Sequence, residues 1–239
     1  MPAAIELYFW PTPNGFKISI ALEEMGLAYA VHPVNIGAGA QFEPDFLAIS
    51  PNNRMPAIVD PDGPGGAPIS VFESGAILQY LGRKSGKFYG ADERGRVEID
   101  QWVFWQMAGL GPMAGQTHHF RQYAPTLVAD SRQTAYGAIR YTNETHRLYG
   151  VLDKQLRGRD FICGEFSIAD MACWPWITPW RNQGIQIEEF PALKAWYERV
   201  GAREKVQAGA RVGEDLRRDL AAPGAGVARS VLFGQRART

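Results

Sequence analysis

Thr12, Pro13 and Asn14 stand together where an aromatic run meets an amphipathic one, in the stretch FWPTPNGFKISIALEEMG over residues 9–26. Thr12 suits the N-cap of the helix that follows, and Pro13 suits its first turn, so helix formation alone accounts for both. The same arrangement sets a hydroxyl and an amide at the positive end of a helix dipole, where anions collect. The stretch is therefore a capped helix or a seat for a negatively charged atom.

Three further stretches carry polar groups at element boundaries. Gln41-Phe42 follows the glycine-rich Gly37-Ala38-Gly39, and Ser50-Pro51-Asn52-Asn53-Arg54-Met55-Pro56 leads into a strand. Phe72-Glu73-Ser74-Gly75 places an acid and a hydroxyl at the start of a helix. Taken singly they read as a loop amide, a turn and a capped helix. Other candidates carry less. Adjacent histidines such as His118 and His119 point in different directions on a helix, and no Cys or acidic partner has ligand spacing, so no metal is expected; either ring suits a cleft wall. Cys163 and Cys173 match no usual zinc pattern and read as buried, inert thiols. Trp102, Trp105, Trp174, Trp176 and Trp180 read as core or cleft wall, and Arg217-Arg218 as solvated.

Two kinds of region must position these groups. Residues 5–10 read as a strand, the helix from Thr12 carries Ile18, Ala21, Leu22 and Met25 at helical spacing, and Gly26 stops it. Residues 29–36 read as a second strand, at a sheet edge because of Pro33. Strand, helix and strand make a right-handed βαβ unit. Residues 57–60 and 69–72 form an antiparallel pair, since PDGPGGAP between them is too short for a helical crossover. A helix from Ala76 to about Lys84 completes β-α-β, β-β-α. Beyond Gly90 the pattern predicts helices near 92–123, 130–157, 167–183 and 191–206, with a kink at Gly109-Leu110-Gly111-Pro112 and a capping box at Ser167–Asp170. The expected division is a mixed domain over 1–86, a linker over 87–94, an all-helical domain over 95–210 and a mobile tail over 211–239.

Composition narrows the function classes. The 239 residues hold 25 lysines and arginines against 25 aspartates and glutamates, and this balance argues against a nucleic-acid partner. No apolar run approaches the roughly 18–20 residues a bilayer needs, and the N-terminus lacks a signal-peptide pattern, so no membrane partner is expected and the cytosol is the expected compartment.

The βαβ-ββα order, with a helix opening on proline, resembles the thioredoxin fold. Redox members of that fold place Cys-Pro-x-Cys where this chain has Thr12-Pro13-Asn14-Gly15, so redox sulfur would have to arrive on a ligand. Pro56 lies where such folds keep a cis-proline facing a peptide ligand. Ser74 at a helix N-terminus suits a carboxylate and Glu73 an ammonium. A carboxylate and ammonium at one end, a peptide in the middle and a sulfur near Thr12 describe glutathione.

Across roughly residues 4–205 the chain resembles the cytosolic glutathione transferases, and most of all the bacterial Nu class of glutathione-dependent disulfide oxidoreductases. The resemblance is carried by Pro11–Gly15, Gly39–Phe42, Ile49–Asn53, Phe72–Ile77, Trp105–His119 and Ser167–Trp176. It implies that Thr12 and Asn14 hold the glutathione sulfur, Gln41 meets the glycine end, and Met55, ahead of Pro56, pairs with the cysteinyl backbone. It also implies that Glu73 and Ser74 bind the γ-glutamyl end. Arg54 stands where the family's lysine is expected and keeps the positive charge. Arg140 falls where these enzymes reach across a homodimer interface toward the ligand. Glutathione is the implied co-substrate, reducing disulfides and, as a lesser activity, adding to electrophiles or peroxides. The alternative is a non-catalytic binding or regulatory protein on the same scaffold.

Overall fold

The computed structural model describes residues 4–216 and 226–236. Strand β1 (Ile5–Phe9) leads into α1 (Pro13–Met25), then β2 (Tyr29–Pro33) and a short α2 (Pro44–Ile49). Strands β3 (Ala57–Asp60) and β4 (Ile69–Phe72) follow, then α3 (Ser74–Ser85). The sheet order is β2-β1-β3-β4, with β2 parallel to β1, β1 antiparallel to β3, and β3 antiparallel to β4. Pro33 indeed lies on an edge strand, which ends three residues earlier than expected.

Period-two alternation buries Ile5, Leu7 and Phe9 on the face of β1 that packs with Ile18, Leu22, Ile77 and Leu81 of the two long helices. On the opposite face Trp10, Val34, Phe46, Met55 and Ala57 form a smaller cluster joined by Tyr8. The N-terminal lobe is thus a thioredoxin-like sandwich with helices on both faces. Helix α1 ends as its sequence suggests: Gly26 adopts φ 70° and donates back to Leu22 and Glu23.

The C-terminal lobe is helical. It runs through α4 (Glu93–Trp105), α5 (Gly111–His118), α6 (Ala124–Leu127), α7 (Ser131–Leu156), α8 (Ile168–Ile177), α9 (Pro191–Gly201), α10 (Glu204–Arg211) and α11 (Gly226–Phe233). The break expected at Gly109–Pro112 is a π-helical turn over Gln106–Leu110, immediately before α5. Pro112 has no N–H to give to Ala108, and the ladder widens just ahead of it. Residues 178–183, expected as helix, are turns instead, beyond Pro175 and closed by Gly184 at φ 71°. The Ser167–Asp170 capping box is present, and buried Asp170 also accepts from Ile162 N–H and Trp196 Nε1. Of the tail expected to be mobile, 217–225 and 237–239 lie outside the described residues, Arg217 and Arg218 with them, while 226–233 is helix α11.

One core joins the lobes. The cluster that begins with Ile5 and Ile18 continues without interruption to Met171, Trp196 and Val206. Helix α10 lies so close to α1 that a Cβ on Gly209 would stand 2.5 Å from the Ile20 Cα. No helix among the described residues is long and apolar enough to cross a membrane.

Candidate functional site

The turn between β1 and α1 is held from both sides. Gly15 backs onto the Trp10 carbonyl and the Phe9 ring, leaving no room for a Cβ, and this contact draws the first turn of α1 against the end of β1. Thr12 is the N-cap in extended conformation, and its Oγ1 accepts from Gly15 N–H at 3.3 Å. The Thr12 hydroxyl then has a proton to give, which it directs at a sulfur, Sδ of Met55, 3.8 Å away. Capping the helix and presenting a donor are therefore compatible.

Asn14 is fixed from the other lobe. Trp176 Nε1 on α8 donates to Asn14 Oδ1 at 2.9 Å. An indole nitrogen can only donate, so the carbonyl end of the Asn14 amide faces the indole and its N–H groups remain as donors. Gly111 and Gly115 of α5 lie against the same indole and leave it room.

The Met55–Pro56 peptide bond is cis, as expected from its place in the fold. Both residues are buried and Met55 lies beside Thr12, whereas Arg54 is exposed and its guanidinium donates to Asn53 Oδ1 and to Gln235 Oε1, both at 2.9 Å. Glu73, exposed, adopts φ 67° and ψ 115°, an unfavourable backbone for a side chain with a Cβ, and its carboxylate accepts from Asn52 Nδ2 at 3.4 Å. That bend turns the next residue, buried Ser74, into the first turn of α3.

Gln41 is buried and its Nε2 donates to the Ile36 carbonyl at 3.2 Å, while its Oε1 has no partner among the described residues. Arg140 lies elsewhere, exposed on α7, with its guanidinium 3.8 Å from Glu144. The structure thus brings Thr12, Asn14, Met55 and Pro56 together around one turn, with Glu73 and Ser74 at the adjacent helix start. Arg140 is not part of that group within one chain.

Sequence reasoning missed three contributors. The sequence around Trp176 points to a core or cleft wall and carries no sign of its link to Asn14. Lys17, one turn into α1, is 1% exposed, and its ammonium donates to Gln106 Oε1 at 2.6 Å and Ser74 Oγ at 3.4 Å. Helix α11 bridges the lobes: Ala228 and Val231 lie against Gly37 and Gly39, and the Phe233 ring packs 4.7 Å from His119 and 5.3 Å from Tyr123. The His118 ring packs on Tyr123 and the His119 ring on Phe233, and burial lowers the pKa of both imidazoles.

No protein thiol serves the turn. Cys163 is half-buried with its thiol pushed up to about 12 by burial, and Cys173 is fully buried and raised well above its usual value for the same reason. Among the described residues no three His, Cys, Asp or Glu side chains group as metal ligands. A cleft of about 970 Å³ opens along the inter-lobe linker, lined by Arg83, Tyr89, Arg96 and Cys163 among others, and none of the site residues above lines it.

Comparison with known proteins fits this geometry. Residues 3–83 match the family model for the glutathione S-transferase N-terminal domain, and residues 138–199 the model for its C-terminal domain. Over 201 residues the chain is 51% identical to disulfide-bond oxidoreductase YfcG of Escherichia coli, spanning 83% of this chain and 91% of that relative. The chain belongs to the glutathione S-transferase family. Among solved structures, a glutathione transferase family member from Pseudomonas fluorescens with two glutathione bound is 45% identical, with a TM-score of 0.80 over 88% of this chain and 93% of that one. A glutathione transferase from Pseudomonas putida, with one glutathione disulfide bound per subunit, is 42% identical, with a TM-score of 0.80 over 87% and 91%. Within this family the present transferase carries Thr12 and Asn14 at the turn that opens α1.

Proposed function

We propose that this transferase reduces disulfides with glutathione, and that transfer of the same thiol to electrophiles or peroxides is its lesser activity. The observation that carries the reading is the pair of donors at the start of α1, the Thr12 hydroxyl and the Asn14 amide, in a site with no protein thiol. Donors at a helix N-terminus favour a thiolate over a thiol, which is otherwise mostly protonated at neutral pH. The thiolate attacks one sulfur of a disulfide, forms a mixed disulfide and expels the other sulfur as a thiol. A second glutathione thiolate then attacks the glutathionyl sulfur, giving glutathione disulfide and the second product thiol. Two glutathiones supply the two electrons, and no protein cysteine changes state.

In this reading Met55 offers its backbone to the cysteinyl unit, Ser74 and the start of α3 hold the γ-glutamyl carboxylate, and Glu73 takes the ammonium. Gln41 and Arg54 flank the glycine end. The same residues support assignment to the Nu class, and two free, unpaired cysteines suit a reducing cytosol. A homodimer accounts for Arg140 and for exposed Tyr136 and Ile139 on α7 and Phe104 on α4, large apolar side chains with no cover in one chain.

A non-catalytic binding protein on the same scaffold is the other reading, and it does not require both donors. The deciding assay supplies purified protein with glutathione and either a small hydroxyalkyl disulfide or an aryl chloride. Turnover of the disulfide above that of the aryl chloride is expected. Binding of glutathione without turnover of either would leave only the scaffold role.

A further inference from the structure

Lys17 is a buried cation without a counterion. Its Nζ is held by the neutral Oε1 of Gln106 at 2.6 Å, the Oγ of Ser74 at 3.4 Å and the Sδ of Met107 at 3.5 Å. Among the described residues no carboxylate pairs with it. Gln106 is itself fully buried, and its Nε2 has no partner. Enclosing an ammonium with neutral partners only is costly unless an anion arrives to complete the set.

The surroundings point to where that anion comes from. Ser74 opens α3, so the hydroxyl that accepts from Lys17 stands at the positive end of a second helix. Gln106 and Met107 begin the π-helical turn, so the group ties the sheet lobe to the helical lobe. Two titratable groups act on Lys17 from the elements around it: Glu73 at the start of α3 and the Cys173 thiol on α8. Cys173 stays protonated, and Glu73 points to Asn52 on the outside. Burial, the dominant influence, lowers the Lys17 pKa to about 7.

We propose that Lys17 is a positioning residue, the buried counter-charge to a carboxylate seated at Ser74, and that filling this seat takes up a proton at Lys17 Nζ. This rests on the reading that Ser74 holds the γ-glutamyl carboxylate. Lys17 does not touch the reacting sulfur; it acts through Ser74 and the start of α3.

The test uses S-methylglutathione, which has no thiol to titrate, and isothermal calorimetry near neutral pH in two buffers of different ionisation enthalpy. The parent protein takes up on the order of half a proton per site on binding, because a group with its pKa near neutrality is completed by the incoming charge. Lys17→Met binds more weakly and takes up none. Lys17→Arg regains affinity without proton uptake, since a guanidinium is always charged. If Lys17→Met fails to fold, the parent and Lys17→Arg carry the comparison. Equal uptake by parent and variants, or none by the parent, overturns the proposal while leaving the glutathione site in place. Failure of the parent to bind S-methylglutathione overturns both.

Discussion

The Trp176 indole on α8 donates to the Asn14 carbonyl at the start of α1, across 162 positions of sequence. The helical lobe therefore decides which way an amide on the sheet lobe faces. Trp176→Phe keeps the aromatic bulk and frees the Asn14 amide to turn over. We expect kcat for disulfide reduction to fall about tenfold, the equivalent of about 1.4 kcal/mol, with little change in the KM for glutathione. Steady-state kinetics at saturating disulfide check this, and an unchanged kcat would mean that Asn14 needs no orientation.

Thr12 and Asn14 are expected to share the thiolate. Thr12→Val retains the shape and removes the hydroxyl, and Asn14→Ala removes the amide. Each loss should raise the pKa of the bound thiol by about one to two units, from a charge-assisted hydrogen bond of about 1.5–3 kcal/mol. Ultraviolet absorbance of the thiolate against pH, with glutathione saturating, reads the shift. If both variants titrate like the parent, Thr12 only caps α1.

Cys163→Ala/Cys173→Ala should keep disulfide reductase activity at the parent level. Both thiols are raised by burial, so neither is a competent nucleophile at neutral pH. Loss of turnover in a folded double variant, with circular dichroism like the parent, would refute a ligand-borne sulfur mechanism.

Lys17 should leave a signature in stability. Its folded-state pKa is lowered to about 7 by burial, so between there and the ordinary lysine value the unfolded chain binds more protons than the folded one. Raising the pH through that window favours the folded state. Relative to Lys17→Met, the parent should gain roughly 1.4 kcal/mol per pH unit between about pH 7 and the ordinary lysine value of 10.5, with no slope outside that window. Urea unfolding of both proteins at several pH values gives the difference directly. A flat difference would mean that Lys17 keeps its proton throughout.

Arg140 is expected to act from the neighbouring subunit of a dimer. Light scattering at assay concentration should give the dimer mass, and Arg140→Ala should weaken glutathione binding without dissociating it. A monomer with full activity would remove Arg140 from the site.

Much of the sheet lobe could be read from local chemistry. Thr12, Pro13 and Gly26 bracket α1 because caps act over three or four residues, and the Ser167–Asp170 box opens α8 for the same reason. The turn-rich link between β3 and β4 fixed their antiparallel pairing. What escaped depends on packing between distant segments. Lys17 sits between Phe16 and Ile18, and nothing in that neighbourhood says its ammonium ends under Ser74 rather than in water. Trp176 could be assigned to a wall, but its partner depends on how α8 lies across α1. The short α2 and the helix in the tail offered too few turns for periodicity to register.

The unbroken core beneath both lobes has a thermodynamic consequence. Two family models divide this chain, yet Ile20 on α1 meets Gly209 on α10 backbone to backbone, and α8 packs against α1 and α3 of the sheet lobe. Neither lobe can be lifted away without exposing the inner surface of the other. The chain should therefore melt as one cooperative unit, and a sheet lobe grafted from a relative would have to bring its own α8 and α10 with it.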